Sequence, residues 1–168
     1  NLSGYIGGIV GKGVGSNIAD TGVNFEFNTV GSSADIMIFT GGVSTNAQGG
    51  IAGYADNLEI RNGNTIHAKF TGDEKIGGFA GEIRDSRIIN SFSDIEVVPL
   101  PPTSYVGGAV GNVTNDKSII IEGVISKLKF HDPSLSAHSK IGGLIGSINN
   151  STAGDVSIKN SKALVDID

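Results

Sequence analysis

With 168 residues the chain has room for one domain with a real core, and its length does not ask for two. Glycine supplies 26 residues and proline only 4, a balance that excludes collagen-like and proline-rich disordered chains. The net charge of −5, without any basic run, lacks the footprint that a phosphate backbone requires, so no nucleic-acid partner is expected. There is no cysteine, which removes disulfide frameworks and thiolate metal sites. No apolar stretch approaches the roughly 20 residues of a membrane-spanning helix, so membrane insertion is not expected either. The chain does not begin with Met, and both ends run straight into repeat sequence, as in a piece of a longer protein.

Near the start stands the cassette Tyr5-Ile6-Gly7-Gly8-Ile9-Val10-Gly11. A loop by composition follows, and then Val23-Asn24-Phe25-Glu26-Phe27 alternates with period two like a half-buried strand. Residues 29–46 fit no repeat and read as an irregular coil or an insertion, although Ile36-Met37-Ile38-Phe39 is a short apolar run. The cassette returns as Ala47-Gln48-Gly49-Gly50-Ile51-Ala52-Gly53, followed by Leu58-Glu59-Ile60, the turn pair Asn62-Gly63 and the segment Ile66 to Phe70. The third copy, Lys75-Ile76-Gly77-Gly78-Phe79-Ala80-Gly81, leads into Ile88-Ile89-Asn90-Ser91 and Ile95-Glu96-Val97. Pro99-Leu100-Pro101-Pro102 should then form a loop, since proline offers no amide to a ladder.

Two more copies complete the pattern. Tyr105-Val106-Gly107-Gly108-Ala109-Val110-Gly111 precedes Ile119 to Ile121 and Ile125 to Phe130. After a polar loop at 131–139, Lys140-Ile141-Gly142-Gly143-Leu144-Ile145-Gly146 precedes Val156 to Ile158, Asn160-Ser161 and Leu164 to Ile167. The first glycines stand at 7, 49, 77, 107 and 142, which makes intervals of 42, 28, 30 and 35 residues. A unit recurring at that scale means stacked, nearly equivalent pieces. The units are roughly 1–28, 47–70, 73–98, 103–130 and 138–168 of a single domain.

Each unit carries three short β segments and no 3.6-residue apolar stripe. Identical order in every unit favours like stacking on like, in parallel, at about 4.8 Å per coil. The predicted fold is therefore all-β: a right-handed parallel β-solenoid of about 5–6 coils with three short strands per coil. Tight corners are assigned to the glycines, for positive φ and for close backbone approach. A β-branched residue at Gly78 or Gly143 should then be costly through backbone strain. The expected buried positions are Ile6, Ile9, Ile51, Ile76, Phe79, Val106, Ile141 and Leu144 in the cassettes, with Ile60, Ile88, Ile121, Ile158, Ile95 and Ile167 on the other walls. Asn62, Asn90 and Asn160 follow the middle segment in three units. They stack as an amide ladder or serve as separate left-handed turn residues.

The cassette, followed by Ile-x-Asn-Ser and a short alternating strand, resembles the GLUG motif repeat. Gly143-Leu144-Ile145-Gly146 carries the likeness, as do Gly78-Phe79-Ala80-Gly81-Glu82-Ile83 and Ile88-Ile89-Asn90-Ser91-Phe92. Residues 29–46 lie outside it. The resemblance implies a β-helical region of a large bacterial secreted or surface protein, either adhesin-like or the non-catalytic part of IgA1-specific metallopeptidases. It brings no catalytic residues.

The residues themselves suggest no catalytic, metal or cofactor site. Gly11-Lys12-Gly13-Val14-Gly15-Ser16 fails as a phosphate loop, because Ile6 stands where the first glycine is needed and Gly13 where Ser or Thr would hold magnesium. His67, His131 and His138 have no ligand spacing and read as solvated. Glu82, Arg84, Asp85, Arg87, Asp94 and Glu96 form the densest charge cluster and read as a solvated face. The alternative is a wall that cleaves acidic polysaccharide. The expected function is a non-catalytic, extracellular structural or adhesive module. It would present loops 29–46, 98–104 and 131–139 to a host protein or glycan, or stack end to end on neighbouring repeats. An accessory region of a secreted protease is the alternative.

Overall fold

The computed structural model of the chain describes residues 4–8, 10–14, 23–26, 37–39, 47–115, 118–131, 140–150 and 154–168. In the first coil are β1 (Tyr5–Gly7), β2 (Val10–Val14), β3 (Val23–Glu26) and β4 (Met37–Phe39). The second holds β5 (Ala47–Gly49), β6 (Ala52–Asp56) and β7 (Leu58–Arg61), and closes in the long β8 (Asn64–Gly77), whose last residues, from Lys75 on, open the third. In the third are β9 (Ala80–Arg84), β10 (Arg87–Ile89) and the still longer β11 (Phe92–Gly107). The fourth has β12 (Val110–Asn115), β13 (Ser118–Glu122) and β14 (Ile125–Phe130). The last has β15 (Lys140–Gly142), β16 (Ile145–Asn150), β17 (Asp155–Lys159) and β18 (Lys162–Ile167).

These strands form three parallel sheets, and the molecule is a parallel β-solenoid. Sheet A runs β1-β5-β8-β11-β14-β18, with β4 added on β8 and β15 on β11. Sheet B runs β16-β12-β9-β6-β2, and sheet C runs β17-β13-β10-β7-β3. The five cassettes share one column: Gly7 pairs with Gly49, Gly49 with Gly77, Gly77 with Gly107, and Gly107 with Gly142. Gln48, the irregular member, keeps that register between Ile6 and Ile76. Within 29–46, β4 takes the closing position of the first coil, with Met37 opposite Lys69. The rest of that segment lies outside the described residues.

The cassette is not a single segment. Its first glycine ends a sheet A strand, the second sits in a bend, and sheet B begins two residues later. The sheet B ladder skips the third glycine in every coil, passing from Ala80 opposite Val110 to Glu82 opposite Asn112. What requires glycine here is contact, not conformation. The one glycine with positive φ among the described residues is Gly123, at 64°. A Cβ on Gly77 would stand 2.6 Å from the Gly111 amide nitrogen, and one on Gly111 would stand 2.6 Å from that of Ile76. First and third glycines of neighbouring coils thus meet backbone to backbone in a seam between sheets A and B. The expected cost at Gly78 stands on contact as well, since its Cβ would lie 2.7 Å from that of Ser93. Left-handed φ is supplied instead by Asn57, Asn62, Glu74, Asp85, Asn90 and Asn160, most of them side chains that tolerate it.

Among the described residues the interior is two cores. One joins sheets B and C around Ile51, Phe79, Ile83, Ile88 and Ile121. The other lies wholly within sheet A, where Phe70, Val97 and Phe130 of the closing strands meet Ile76 and Val106 of the cassettes. Between them Gly50, Gly78 and Gly108 lie against Thr65, Ser93 and Ser126, and Ser93 Oγ donates to the Gly108 carbonyl at 2.6 Å. The cross-section is a main lobe and a fin with a waist of glycine and serine, because a larger side chain on either side of the waist would collide. Each fully buried Ile or Phe contributes about 1.5–3 kcal/mol, which makes the stacked columns the main stabilising force.

Three expected core residues are corrected. Ile141, Ile158 and Ile167 are 36%, 46% and 55% exposed. They occupy the same columns as the buried Val106, Ile121 and Phe130, but they belong to the last coil, which no further described coil covers. Leu144 is partly buried against the main core, and the side chains of Ile6 and Ile9 lie outside the described residues. The proline-rich link is also corrected. Strand β11 runs through it, and the ladder to β8 jumps from Pro99 opposite Gly72 to Ser104 opposite Glu74. Pro101 and Pro102 fall in that jump, where no ladder amide is needed.

Candidate functional site

The cassettes place two rows of side chains beside the glycine seam, with Ala47, Glu82, Asn112 and Ser147 buried in them. Tyr5, Ala47, Lys75, Tyr105 and Lys140 form the sheet A row, while Lys12, Tyr54, Glu82, Asn112 and Ser147 form the sheet B row. In the first two coils the rings of Tyr5 and Tyr54 lie 5.1 Å apart, with Lys12 Nζ 5.5 Å from each. In the third coil Lys75 Nζ donates to Glu82 Oε2 at 2.7 Å. Glu82 is 7% exposed and also accepts from Asn112 Nδ2 at 3.4 Å and Thr114 Oγ1 at 3.5 Å. Asn149 Nδ2 extends the row, donating to Asn112 Oδ1 at 3.2 Å. Further along, Lys140 Nζ stands 5.0 Å from the Tyr105 ring. Burial, with the negative charges of Asp56 and Glu82, pushes the Tyr54 hydroxyl up to about 12.

The second polar face is the outside of the sheet A closing strands, where opposite charges alternate along the axis. Lys69 Nζ bonds Glu96 Oε1 at 2.5 Å, and Lys127 Nζ lies 3.6 Å from Asp94. Lys129 Nζ lies 3.7 Å from Asp168. His131, expected to be solvated, contacts Asp168 through Nδ1 and lies 3.4 Å from Glu96 through Nε2. The sequence cluster from Glu82 to Glu96 does not form one wall: Glu82 and Arg84 belong to sheet B, Arg87 to sheet C, and Asp94 and Glu96 to sheet A. Consecutive residues wrap around the coil, so charges close in sequence point in three directions.

The hydrogen bond from Lys69 holds the Glu96 carboxyl below the ordinary glutamate value, with further help from the charges of Lys69, His131 and Lys129. A lowered folded-state pKa contributes stability that is complete above the unfolded value and lost as pH falls through the folded one. Lys69→Met should therefore raise the Glu96 titration midpoint towards the ordinary value in an NMR titration of the side-chain carboxyl. An unchanged midpoint would contradict the assignment. Because the Glu96 side chain is 36% exposed, solvent screens the pair and its effect on global stability should be small.

Asn62, Asn90 and Asn160 share the corner between sheets C and A, with Gly123 in the fourth coil, and all four have left-handed φ. The Asn90 side chain leans over Gly123, which has no Cβ to obstruct it. The interval between coils is bridged there by the serine that follows. Ser91 Oγ donates to the Ile89 carbonyl and accepts from the Gly63 amide at 3.0 Å. Ser161 Oγ donates to the Lys159 carbonyl and accepts from the Val124 amide at 3.2 Å. Ser86 does the same at the corner between sheets B and C, donating to the Arg84 carbonyl and accepting from the Leu58 amide. These serines were not singled out from sequence, although the signal is present: a left-handed residue followed directly by Ser at Asp85-Ser86, Asn90-Ser91 and Asn160-Ser161.

Of the predicted presenting loops, 98–104 lies within β11 and contains its jump at 100–103, while 29–46 and 131–139 lie outside the described residues apart from β4 and His131. His138 lies outside them, as does the side chain of His67. Comparison with protein-family models, with curated proteins and with solved structures finds no match to this chain.

Proposed function

We propose that this chain is a structural and adhesive module of a larger secreted or surface protein, built from GLUG-like repeats. The observation that carries this reading is the cassette column. Five copies of one glycine-rich unit stand in register in a parallel β-solenoid, and the faces beside the seam carry polar, aromatic and charged rows. Such a rod holds its loops at fixed spacings, which suits presentation to a host protein or glycan. The proline-containing jump in β11 interrupts the ladder and leaves residues 100–103 outside it, as a presented segment would be. The apolar residues of the last coil support stacking on a further coil, either of the same polypeptide or of a neighbour.

The test is a binding screen of the folded chain against arrayed glycans and host extracellular proteins, repeated after residues 100–103 are replaced by a two-residue turn. Binding that falls at least tenfold while the melting temperature is kept supports presentation by this segment. Absence of any binder, together with turnover of a polysaccharide, would replace the reading with an enzymatic one.

A further inference from the structure

The third and fourth coils bring together groups found at no other described level of the seam. Lys75 supplies an amine from sheet A of one coil, and Asn112 supplies a carboxamide from sheet B of the next. Both are bound to the two oxygens of one carboxylate: Lys75 Nζ lies 2.7 Å from Glu82 Oε2, and Asn112 Nδ2 lies 3.4 Å from Glu82 Oε1. Glu82 is 7% exposed and Asn112 1% exposed, so both stand largely apart from bulk water. The carboxamide orientation follows from chemistry, since its oxygen would be repelled by the carboxylate. That oxygen instead accepts the Asn149 Nδ2 hydrogen bond at 3.2 Å. A nucleophile, a proton carrier, an acyl carbon and a donor for the acyl oxygen are thus adjacent. These are the groups that acyl transfer needs, gathered around one carboxylate.

We propose that Lys75 and Asn112 are the partners of an intramolecular isopeptide bond formed with Glu82 as proton carrier. Glu82 Oε2 takes a proton from the Lys75 ammonium, freeing the amine lone pair. Nζ then attacks Asn112 Cγ, and the charge that develops on Oδ1 is met by the Asn149 amide. Glu82 passes the proton to Nδ2, the Cγ–Nδ2 bond breaks, and ammonia leaves. Of the two protons still on Nζ, one passes through Glu82 to the departing ammonia and the other stays as the amide N–H. Overall, an ammonium and a carboxamide become a secondary amide and an ammonium ion, with Glu82 unchanged and no oxidant or cofactor consumed. The product ties sheet A of one coil to sheet B of the next across the glycine seam. No residue in the chain could make a disulfide for that purpose. The other cassettes lack the set: the pairs at corresponding positions are Tyr5 with Lys12, Ala47 with Tyr54, Tyr105 with Asn112 and Lys140 with Ser147. The inference stands on this geometry alone and does not depend on the adhesive reading.

Intact-mass spectrometry of the full chain, denatured after folding and prolonged incubation, tests it. The expected mass is that of the sequence less one ammonia, with a proteolytic fragment in which the peptides carrying Lys75 and Asn112 are joined. Lys75→Arg and Glu82→Gln should each restore the full mass. Circular dichroism and the melting temperature of each variant show whether it is folded, and the joined fragment of the unsubstituted chain needs no variant at all. A folded, unsubstituted chain at full mass would overturn the proposal. Ammonia loss that survives in Lys75→Arg would overturn it too, by assigning the loss to asparagine cyclisation, for instance at Asn62-Gly63.

Discussion

Gly77→Ala is expected to cost about 3 kcal/mol or more, an overpacking penalty that the seam has no room to relax. For a chain of this size that lowers the melting temperature by roughly 6–12 °C. The new Cβ would stand 2.6 Å from the Gly111 nitrogen and 2.8 Å from the Val110 Cα, and it would press on the Ala80 carbonyl. These are backbone atoms of two coils, so no side-chain rotation relieves the contact, and the coils must separate or shift. Gly4→Ala is the control, because nothing lies within 4 Å of its Cβ. It should change stability by less than about 0.5 kcal/mol. Thermal melts of the two variants decide the matter. Equal midpoints would mean that the seam is not closed in solution.

The second large effect separates interior coils from the last one. Ile121 and Ile158 are direct neighbours in the sheet C ladder, with the same side chain in the same column. Ile121 is fully buried and has a coil on each side, whereas Ile158 is 46% exposed. Ile121→Ala should cost about 3–4 kcal/mol, from lost burial and a cavity that neighbouring coils hold open. Ile158→Ala should cost about 1 kcal/mol or less, since much of its surface is already in water. Denaturant unfolding of the two variants measures the difference. If the two losses were equal, the last coil would be covered in solution, and sedimentation at rising concentration would show whether a second copy covers it.

The two effects share an origin in the stacking geometry. In a solenoid each residue's environment is set by its counterparts one coil above and one below, so chemistry repeats in columns and not along the chain. That is why the cluster from Glu82 to Glu96 scatters over three sheets, while Lys75, Glu82 and Asn112 converge. It also explains the pairing of Lys69 with Glu96, 27 positions apart in sequence. A one-coil offset turns intervals of roughly 27–37 residues into contact.

The paired-glycine cassette was readable as a repeat because it recurs with the same order of apolar and glycine positions. From that recurrence came the all-β class, the parallel stacking and most of the core, Ile76, Phe79, Val106 and Ile121 among them. The order of residues could not reveal why the glycines are needed. Positive φ and close backbone approach leave the same mark on a sequence, and only the distance between Gly77 and Gly111 identifies the second as the cause. Nor could it reveal the division into a main lobe and a fin, because Ser93 and Gly78 are brought face to face by the course of β11. Ile141, Ile158 and Ile167 look like core residues by type and register, yet burial belongs to whatever lies over them. The meeting of an amine, a carboxylate and a carboxamide at one point of the seam depends on coil length, and coil length becomes contact only when the chain has wound.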